Sequence, residues 1–477
     1  MYQTSLLFRK VINSLSWSFV SSIYRLFANF AILVVLSRIL DPRDFGIINY
    51  SIVIFNSIFL ILTESVGQSY LIKKKFEEDL KAYNTSLFYL FIFASLIYVI
   101  IGIINYIFYP NLWFTSLQII LYISFLIRLP SIIFEFDFIK QKRFKLLSII
   151  DLITLSIYMC LAIILANFKF GYYSLILATS GLYLSKSALL IYINNKKILK
   201  VLPSQRFDIA NIKNPFKFLK TNYATFLYDN IEKLILPIIT SLPFLGYYSR
   251  AYAINNVPLS IINKPVDHVI YSYLSDKENF NDKLSSYFEN LIIIASLIVI
   301  PMALFVFLYA EEIVFLLLGE NWTSSAIILK YISPLIFFLY LTKCFEPIYK
   351  ASDFIEIRTK ILIFFIFLKL IIFFLFIQEG QIIRFAIILT LIHFCYLVTL
   401  IYQFLKKMNY SILRFLNFFK QNFLFILLFI TTNFFIKDIN FYYILIINIS
   451  IYVISIFYFK FLLSKKTNLI LSDFFKF

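Results

Sequence analysis

The segment from Ala82 to Ile127 holds 46 residues without a single Asp, Glu, Lys or Arg. One helical crossing of a bilayer needs about 20 apolar residues, so this segment predicts two crossings, joined at Tyr109-Pro110-Asn111. Within lipid every backbone polar group needs a partner, and unbroken apolar runs meet that need as helices, whereas barrel strands alternate apolar and polar residues. Of all 477 residues, 61% are hydrophobic and 15% charged. The sequence therefore predicts a polytopic helical membrane protein.

The same reasoning along the chain predicts an all-α fold with about fourteen transmembrane helices. The predicted spans cover residues 14–37, 45–70, 84–108, 114–136, 147–167, 172–193, 221–242, 250–273, 287–309, 324–346, 358–377, 383–404, 418–436 and 440–461.

A long polar connection divides these spans into groups. Residues 194–220 are basic and contain Pro203 and Pro215, which is typical of a linker between domains. We expect an N-terminal six-helix bundle over residues 1–193, the cytoplasmic linker over 194–220, a C-terminal six-helix bundle over 221–405, and two additional C-terminal helices over 406–477.

Two short sequence echoes suggest that the bundles are repeats. Phe45-Gly46 opens the second span and Leu245-Gly246 precedes the eighth, while Ser69-Tyr70-Leu71 closes the former and Ser272-Tyr273-Leu274 the latter. Parallel repeats of this kind occur in several secondary transporters.

Lys and Arg concentrate in alternate connections, as at residues 73–75, 140–145 and 196–220, while the intervening loops carry few. By the positive-inside rule, both termini are predicted to be cytoplasmic. The net charge of +18 is spread over short segments beside the membrane, so it sets topology and does not indicate binding to nucleic acid.

The sequence indicates no cofactor. Cys160, Cys344 and Cys395 are odd in number and distant from one another, so neither a disulfide framework nor a metal site is predicted. The chain also lacks a phosphate-binding loop of the type that holds ATP. Any transport would use an ion gradient, with H⁺ or Na⁺ as the coupling ion, or the gradient of the substrate itself.

Charged side chains within the predicted spans are the main candidates for function. A charge at a helix centre costs about 2.5 to 3.5 kcal/mol on insertion scales, so these residues must line a polar path or pair with one another. They are Arg25, Glu64, Arg128, Glu135, Lys186, Asp229, Glu232, Lys233, Lys264, Asp267, Lys343 and Lys369.

Two spans carry polar residues on one helical face. The stripe in span one comprises Ser14, Ser18, Ser21, Ser22, Arg25 and Asn29. It either lines a cavity or joins helices through serine hydrogen bonds, and Arg25 favours the cavity because it lies far from both ends of the span. The stripe in span four comprises Ser124, Arg128, Ser131 and Glu135. We interpret Arg128 as cavity-lining and Glu135 as interfacial.

Spans seven and eight carry the densest charges. Asp229, Glu232 and Lys233 share one side of a helix, and Lys233 can neutralise only one of the two carboxylates at a time. This group is either an ion-coupling site or a static network that joins helices. Lys264 and Asp267 lie on one stripe of span eight, which its prolines predict to be bent or broken.

Four further charged residues belong to none of these groups. Glu64 is a single acid in span two. Lys369 has no acid within span eleven, so it faces either an anion or an acid of another helix. Lys343 and Glu346 have the spacing of a helical ion pair.

Several motifs resemble a known family, the bacterial polysaccharide-unit flippases of the multidrug/oligosaccharidyl-lipid/polysaccharide superfamily. Residues 36–46 are similar to the first periplasmic loop of that family, and residues 229–234, 245–252 and 257–259 to its seventh and eighth spans. Leu318-Gly319-Glu320-Asn321-Trp322 resembles the loop after its ninth span. The two extra C-terminal spans depart from the commoner twelve-span members.

The resemblance implies a multi-pass protein of the bacterial inner membrane, without catalytic residues, that moves an undecaprenyl-pyrophosphate-linked oligosaccharide to the outer leaflet for surface polysaccharide synthesis. The expected partners are this lipid-linked sugar, membrane lipid and a polysaccharide polymerase. We expect the pyrophosphate and sugar to be bound by Arg25, Arg128, Lys233, Lys264 and Lys369. We expect the coupling ion to be held by Glu64, Asp229, Glu232 and Asp267.

Other functions stay open from the residues alone. A flippase for lipid II or an exporter of small cationic drugs would have the same superfamily fold, although the excess of buried bases argues against a cationic cargo. A membrane polymerase or ligase of sugars normally has larger external loops than this chain. A lipid scramblase or scaffold would show no ion coupling.

Overall fold

The computed structural model describes residues 2–72, 76–108, 112–194, 210–274, 295–351, 355–378 and 380–408, with single positions between 431 and 450. The long described helices are α1 (Tyr2–Ser37), α2 (Pro42–Ile72), α3 (Phe76–Phe108), α4 (Leu112–Lys140), α5 (Phe144–Asn167), α6 (Tyr173–Ile193), α7 (Ala210–Ile239), α8 (Leu242–Leu274), α9 (Ile300–Leu308), α10 (Ala310–Leu318), α11 (Thr323–Ile332), α12 (Leu335–Ala351), α13 (Ile355–Phe376) and α14 (Ile382–Met408). A π-helical turn (Ala295–Val299) precedes α9, and a 3₁₀ turn (Glu320–Trp322) precedes α11.

Eight of these helices are long and apolar enough to cross a membrane: α1 to α6, α13 and α14. The number rises to ten if two bent pairs each form one span, namely α9 with α10, bent by 77°, and Glu320–Ile332 with Leu335–Glu346, bent by 56°. The prediction of an all-helical, multi-span membrane protein is therefore confirmed.

The count of fourteen stays a prediction. The predicted spans 221–242 and 250–273 correspond to α7 and α8, which are outside the apolar group because they contain many charged and uncharged polar residues. The predicted spans 418–436 and 440–461 lie almost wholly outside the described residues.

The chain falls into two compact units. The first comprises Met1–Arg250, Leu317–Trp322 and Leu362–Gln381. In it α5 packs against α1 and α6, α4 packs against α6, and α2 packs against α3, α4 and α7. The second comprises Ala251–Leu316, Thr323–Ile361 and Ile382–Phe477. The predicted domain boundaries at residues 193, 220 and 405 stay a prediction.

Aromatic rings fill the core of the first unit. Phe55 and Phe59 of α2 contact Tyr98 of α3 and Phe125 of α4, with ring centroids between 5.0 and 6.2 Å apart. Edge-to-face ring contacts of this kind add to the packing energy of large apolar side chains. Such packing supplies cohesion where lipid removes much of the hydrophobic driving force between helices.

In the second unit, α14 packs against α11 and α12, and α9 packs against the same two helices. The helix is interrupted between α11 and α12 at Ser333-Pro334, inside the predicted span 324–346. Proline lacks a backbone N–H and displaces the carbonyl one turn earlier, so the helix bends there. The Thr390 hydroxyl of α14 donates to the Tyr331 carbonyl at 2.9 Å beside the break.

Two glycines allow the first turns of α2 and α8 to cross at very short range. A Cβ on Gly46 would overlap the backbone carbonyl of Leu242, and a Cβ on Gly246 would overlap that of Pro42. The two members of the first sequence echo, Phe45-Gly46 and Leu245-Gly246, therefore lie close together in the fold. α8 was predicted to be bent or broken at Pro258 and Pro265; it runs through both prolines without a break, and the bend stays a prediction.

Candidate functional site

The candidate site is a line of five alternating charges drawn from four helices of the first unit. Arg25 of α1 donates to Asp151 of α5 at 2.8 Å, and the other oxygen of Asp151 lies 3.0 Å from the ammonium of Lys186 on α6. Lys186 also donates to Glu135 of α4 at 2.7 Å, and Glu135 lies 3.4 Å from Arg128, two turns earlier on the same helix. We call these five residues the charge ladder.

The charge ladder is buried at its centre and open at one end. The side chain of Lys186 is 10% exposed, whereas that of Arg25 is 49% exposed. At the other end, the Arg128 guanidinium lies over the Tyr183 ring at 4.7 Å, and its buried Nε has no hydrogen-bond partner among the described residues. Three cations face two carboxylates, so the ladder carries one excess positive charge.

Hydroxyl groups also form hydrogen bonds between helices of the charge ladder. Ser187 of α6 donates to the Ile127 carbonyl of α4 at 2.8 Å, and the hydroxyls of Tyr24 on α1 and Ser156 on α5 are hydrogen-bonded. Ser124 and Ser131 donate to carbonyls of their own helix, so they need no water. Serine hydrogen bonds and members of the charge ladder thus coexist on α4.

The polar stripe of α1 is only partly described. The side chains of Ser14 and Ser18 lie outside the described residues, Ser21 is buried, and Arg25 and Asn29 are exposed. The cavity-lining role of this face stays a prediction. Glu135, which we predicted to be interfacial, is a member of the charge ladder through its contacts with Lys186 and Arg128.

A second charged group of the first unit is fully enclosed. Glu232 of α7 is 1% exposed and accepts a hydrogen bond from the Tyr248 hydroxyl of α8 at 2.9 Å. Its other oxygen lies 3.4 Å from the ammonium of Lys369 on α13, which is 0% exposed and donates to the Tyr228 carbonyl at 2.7 Å. Lys369 therefore meets an acid of another helix, and Glu232 joins helices as a static network would.

The remaining predicted residues lie elsewhere. Lys233 is half-buried and donates to the Asn230 side chain at 2.9 Å, while Asp229 is half-buried and Glu64 is exposed on α2. The side chains of Lys264 and Asp267 lie outside the described residues, and their predicted roles stay predictions.

In the second unit, Lys343 and Glu346 form the expected ion pair at 3.6 Å, and Arg358 lies 3.4 Å from the same acid.

Sequence reasoning missed two members of these groups. Asp151, an acid inside the predicted span 147–167, was not counted among the intramembrane charges, although the rule that found the others applies to it as well. Tyr248 carries no charge and gave no signal of its own, because its partner Glu232 belongs to another helix. Lys186 is one of the predicted intramembrane charges, but the sequence indicated no specific role for it.

These helices and spans define a multi-pass membrane protein with the fold of the multidrug/oligosaccharidyl-lipid/polysaccharide superfamily. Residues 35–327, more than half of the chain, match the family model described as polysaccharide biosynthesis protein. The chain belongs to this family, which confirms the resemblance seen in its motifs.

Solved structures share the fold at low sequence identity. The lipid II flippase MurJ in an inward closed conformation matches with a TM-score of 0.66 and 16% identity, over 94% of this chain and 100% of MurJ. An inward-facing multidrug resistance MATE family transporter of the MOP superfamily matches with a TM-score of 0.59 and 14% identity, over 84% of this chain and 99% of that one.

A relative in Klebsiella pneumoniae, an uncharacterized membrane protein in the cps region, is 24% identical over 331 residues. The match covers 66% of this chain and 65% of the relative. The chain thus spans slightly less than two thirds of the length of that protein.

Proposed function

We propose that this protein moves an oligosaccharide unit linked to undecaprenyl pyrophosphate from the cytoplasmic to the outer leaflet of the bacterial inner membrane. The movement would proceed by ion-coupled alternating access and would serve the synthesis of a surface polysaccharide. Membership of the polysaccharide biosynthesis family and the superfamily fold support this proposal. So does the relative in the cps region of Klebsiella pneumoniae.

The observation that carries the proposal is the excess positive charge of the charge ladder, with Arg25 exposed at its open end. A pyrophosphate is a compact anion, and guanidinium groups bind phosphate oxygens through paired, charge-assisted hydrogen bonds. Arg25 gives one terminal nitrogen to Asp151, and a guanidinium has five N–H donors in all. The same side chain can therefore hold Asp151 and a phosphate oxygen together.

The two acids of the charge ladder have a supporting role in this proposal. Three neighbouring cations without counter-charges would repel one another and would be costly to place among helices. Asp151 and Glu135 offset two of them and leave one positive charge for the cargo. We assign Arg25 and Arg128 to the pyrophosphate and Lys186 to the alignment of the two acids.

The coupling ion is assigned to acids other than those of the ladder. Asp229 is half-buried on α7 and Glu64 is exposed on α2, so both carboxylates are accessible to a proton or a sodium ion in this conformation. Glu232 is enclosed by Tyr248 and Lys369, which makes it less suited to this part.

Deletion of the gene, followed by extraction of undecaprenyl-linked intermediates, tests the proposal. We expect completed sugar units to accumulate on the cytoplasmic leaflet while surface polymer disappears. Complementation with wild-type protein should restore the polymer, whereas Arg25→Ala and Arg128→Ala at matched protein levels should not.

Each other outcome contradicts the proposal in its own way. Accumulation of lipid II would indicate the cargo of MurJ instead. Normal lipid intermediates with intact polymer, together with new sensitivity to small toxic cations, would indicate a drug exporter.

A further inference from the structure

The ammonium of Lys369 occupies an enclosed position on the surface of α7. It donates to the Tyr228 carbonyl at 2.7 Å, lies 3.4 Å from a Glu232 oxygen, and sits 4.1 Å above the centre of the Tyr228 ring. Both side chains of the ion pair are essentially inaccessible, at 0% and 1% exposure. Substrate therefore cannot reach this ammonium in the described conformation.

The groups around this ammonium are those that a small monovalent cation selects. A backbone carbonyl and a carboxylate are oxygen ligands of the kind hard cations bind, and an aromatic face attracts a cation through its quadrupole. The Tyr248 hydroxyl donates to the other oxygen of Glu232 and fixes the carboxylate in place. This carbonyl, this ring and this carboxylate belong to Tyr228 and Glu232, which lie one turn apart on α7.

We propose that Tyr228 and Glu232 form a monovalent-cation site on α7, which Lys369 fills with its own side chain. The tethered ammonium takes the place of a free Na⁺ or K⁺, because an enclosed carboxylate needs a positive partner. Lys369 supplies one without the entropic cost of binding an ion from solution. The inference concerns this site alone and does not depend on the cargo that the protein moves.

Lys369 keeps Glu232 from taking part in ion coupling. While Lys369 is in place, Glu232 is not available to a free ion, so any effect of Na⁺ on the wild-type protein must come from other acids. Truncation of Lys369 should leave both oxygen ligands around a small cavity that an external cation can enter. The native site is therefore expected to be insensitive to Na⁺ and the truncated site sensitive.

The test compares purified Lys369→Ala with wild type by thermal unfolding in NaCl, KCl, methylammonium chloride and choline chloride at equal ionic strength. We expect the unfolding temperature of Lys369→Ala to rise by several degrees in at least one small cation relative to choline, since a ligand that binds only the folded state stabilises it. The unfolding temperature of the wild type should show no cation-specific rise that Glu232→Gln removes. Lys343→Ala removes a lysine whose acid keeps a second partner in Arg358, and it should behave as wild type.

The double variant Glu232→Gln/Lys369→Ala tests whether the carboxylate is the binding group, and its cation response should be absent. A folded Lys369→Ala protein that responds equally to all four salts overturns the proposal. So does a Na⁺ response of the wild type that Glu232→Gln abolishes.

If Lys369→Ala folds in none of the salts while the double variant folds, the carboxylate needs Lys369 itself and the proposal is wrong. If the single variant can be purified only with a small cation present, the proposal is supported. None of these measurements involves transport, so failure of this proposal and failure of the proposed flippase activity are distinguishable.

Discussion

Asp151 is the residue through which two cations of the charge ladder are held, since it contacts Arg25 with one oxygen and Lys186 with the other. We predict that Asp151→Asn lowers the free energy of unfolding by about 1 to 3 kcal/mol, because two charge-assisted contacts are weakened and the cations then outnumber the acids by three to one. Thermal unfolding of the purified variant measures this change.

A charge exchange separates the stabilising role of this pair from a role in binding. Arg25→Asp and Asp151→Arg should each destabilise the protein, and the double variant should regain most of the lost stability. It should not regain polymer export, because the exposed cation has moved from α1 to α5. Recovery of export in the double variant would mean that Arg25 serves only as a structural partner of Asp151.

At the residue scale, the sequence indicated which cations lie within apolar spans but not which acids they meet. Arg25 and Arg128 could be found because each lies deep within an apolar span, where a charge is costly. Their partners could not be assigned, since Arg25 and Asp151 are 126 positions apart and Lys186 and Glu135 are 51 apart. Helical spacing identifies a shared face within one helix, and it carries no information about contacts between helices.

At the scale of helices, the crossing of α2 and α8 depends on two glycines that admit no side chain. We predict that Gly46→Ala and Gly246→Ala each destabilise the protein by about 1 to 3 kcal/mol, as overpacking typically does, because the new methyl group would meet a backbone carbonyl that cannot rotate away. The measurement is the unfolding temperature of each purified variant.

Gly102→Ala is the matched control for this prediction. Gly102 lies within α3, and a Cβ there would have no heavy atom within 4 Å. Alanine favours a helix over glycine by up to about 1 kcal/mol, so this variant should be unchanged or slightly more stable. Equal effects at all three positions would show that helix propensity, and not the crossing, is being measured.

Trp322 lies in the 3₁₀ turn after α10, which belongs to the first unit, and it packs beside the crossing of α2 and α8. Its indole nitrogen donates to the Ser37 carbonyl at 2.8 Å, and its ring meets Phe45 and Tyr247 edge-on. We predict that Trp322→Phe costs about 1 kcal/mol, through loss of the hydrogen bond to a buried carbonyl. Trp322→Ala should cost about 3 to 5 kcal/mol, through loss of the buried ring.

Trp17→Phe provides the comparison for the conservative change. Trp17 contacts Lys145 through its ring face at 5.1 Å, which a phenyl ring can replace. Its unfolding temperature should therefore stay close to that of wild type. If both Trp→Phe variants lost the same stability, the hydrogen bond to Ser37 would have no measurable value.

The elements themselves were largely predictable, because helix length in a membrane is fixed by bilayer thickness. The predicted spans 147–167 and 172–193 differ from α5 and α6 by at most three residues at either end. The bend at Ser333-Pro334 was missed, since the apolar run through it is continuous. Pro334 was the available signal, but the two prolines of α8 interrupt nothing, so proline alone does not predict a break.

At the scale of the whole molecule, the distribution of basic residues predicts a definite orientation in the membrane. α5 has 24 residues, and at about 1.5 Å per residue it is long enough to cross the hydrocarbon core, so its two flanking loops must lie on opposite sides. The loop before it is rich in Lys and Arg, whereas the loop after it has one lysine. The positive-inside rule places the first loop in the cytoplasm, and this also fixes the orientation of the N-terminus.

Lys142 and Lys169 offer a matched pair for testing this orientation. Both are exposed, and both have a left-handed backbone, with φ of 59° and 62°, so a cysteine is strained to the same degree at each. In a background with Cys160, Cys344 and Cys395 replaced by Ser, we predict that a membrane-impermeant maleimide labels Lys169→Cys in intact cells. Lys142→Cys should react only after permeabilisation. The reverse pattern would invert the chain in the membrane, place both termini outside, and make the charge-based topology wrong.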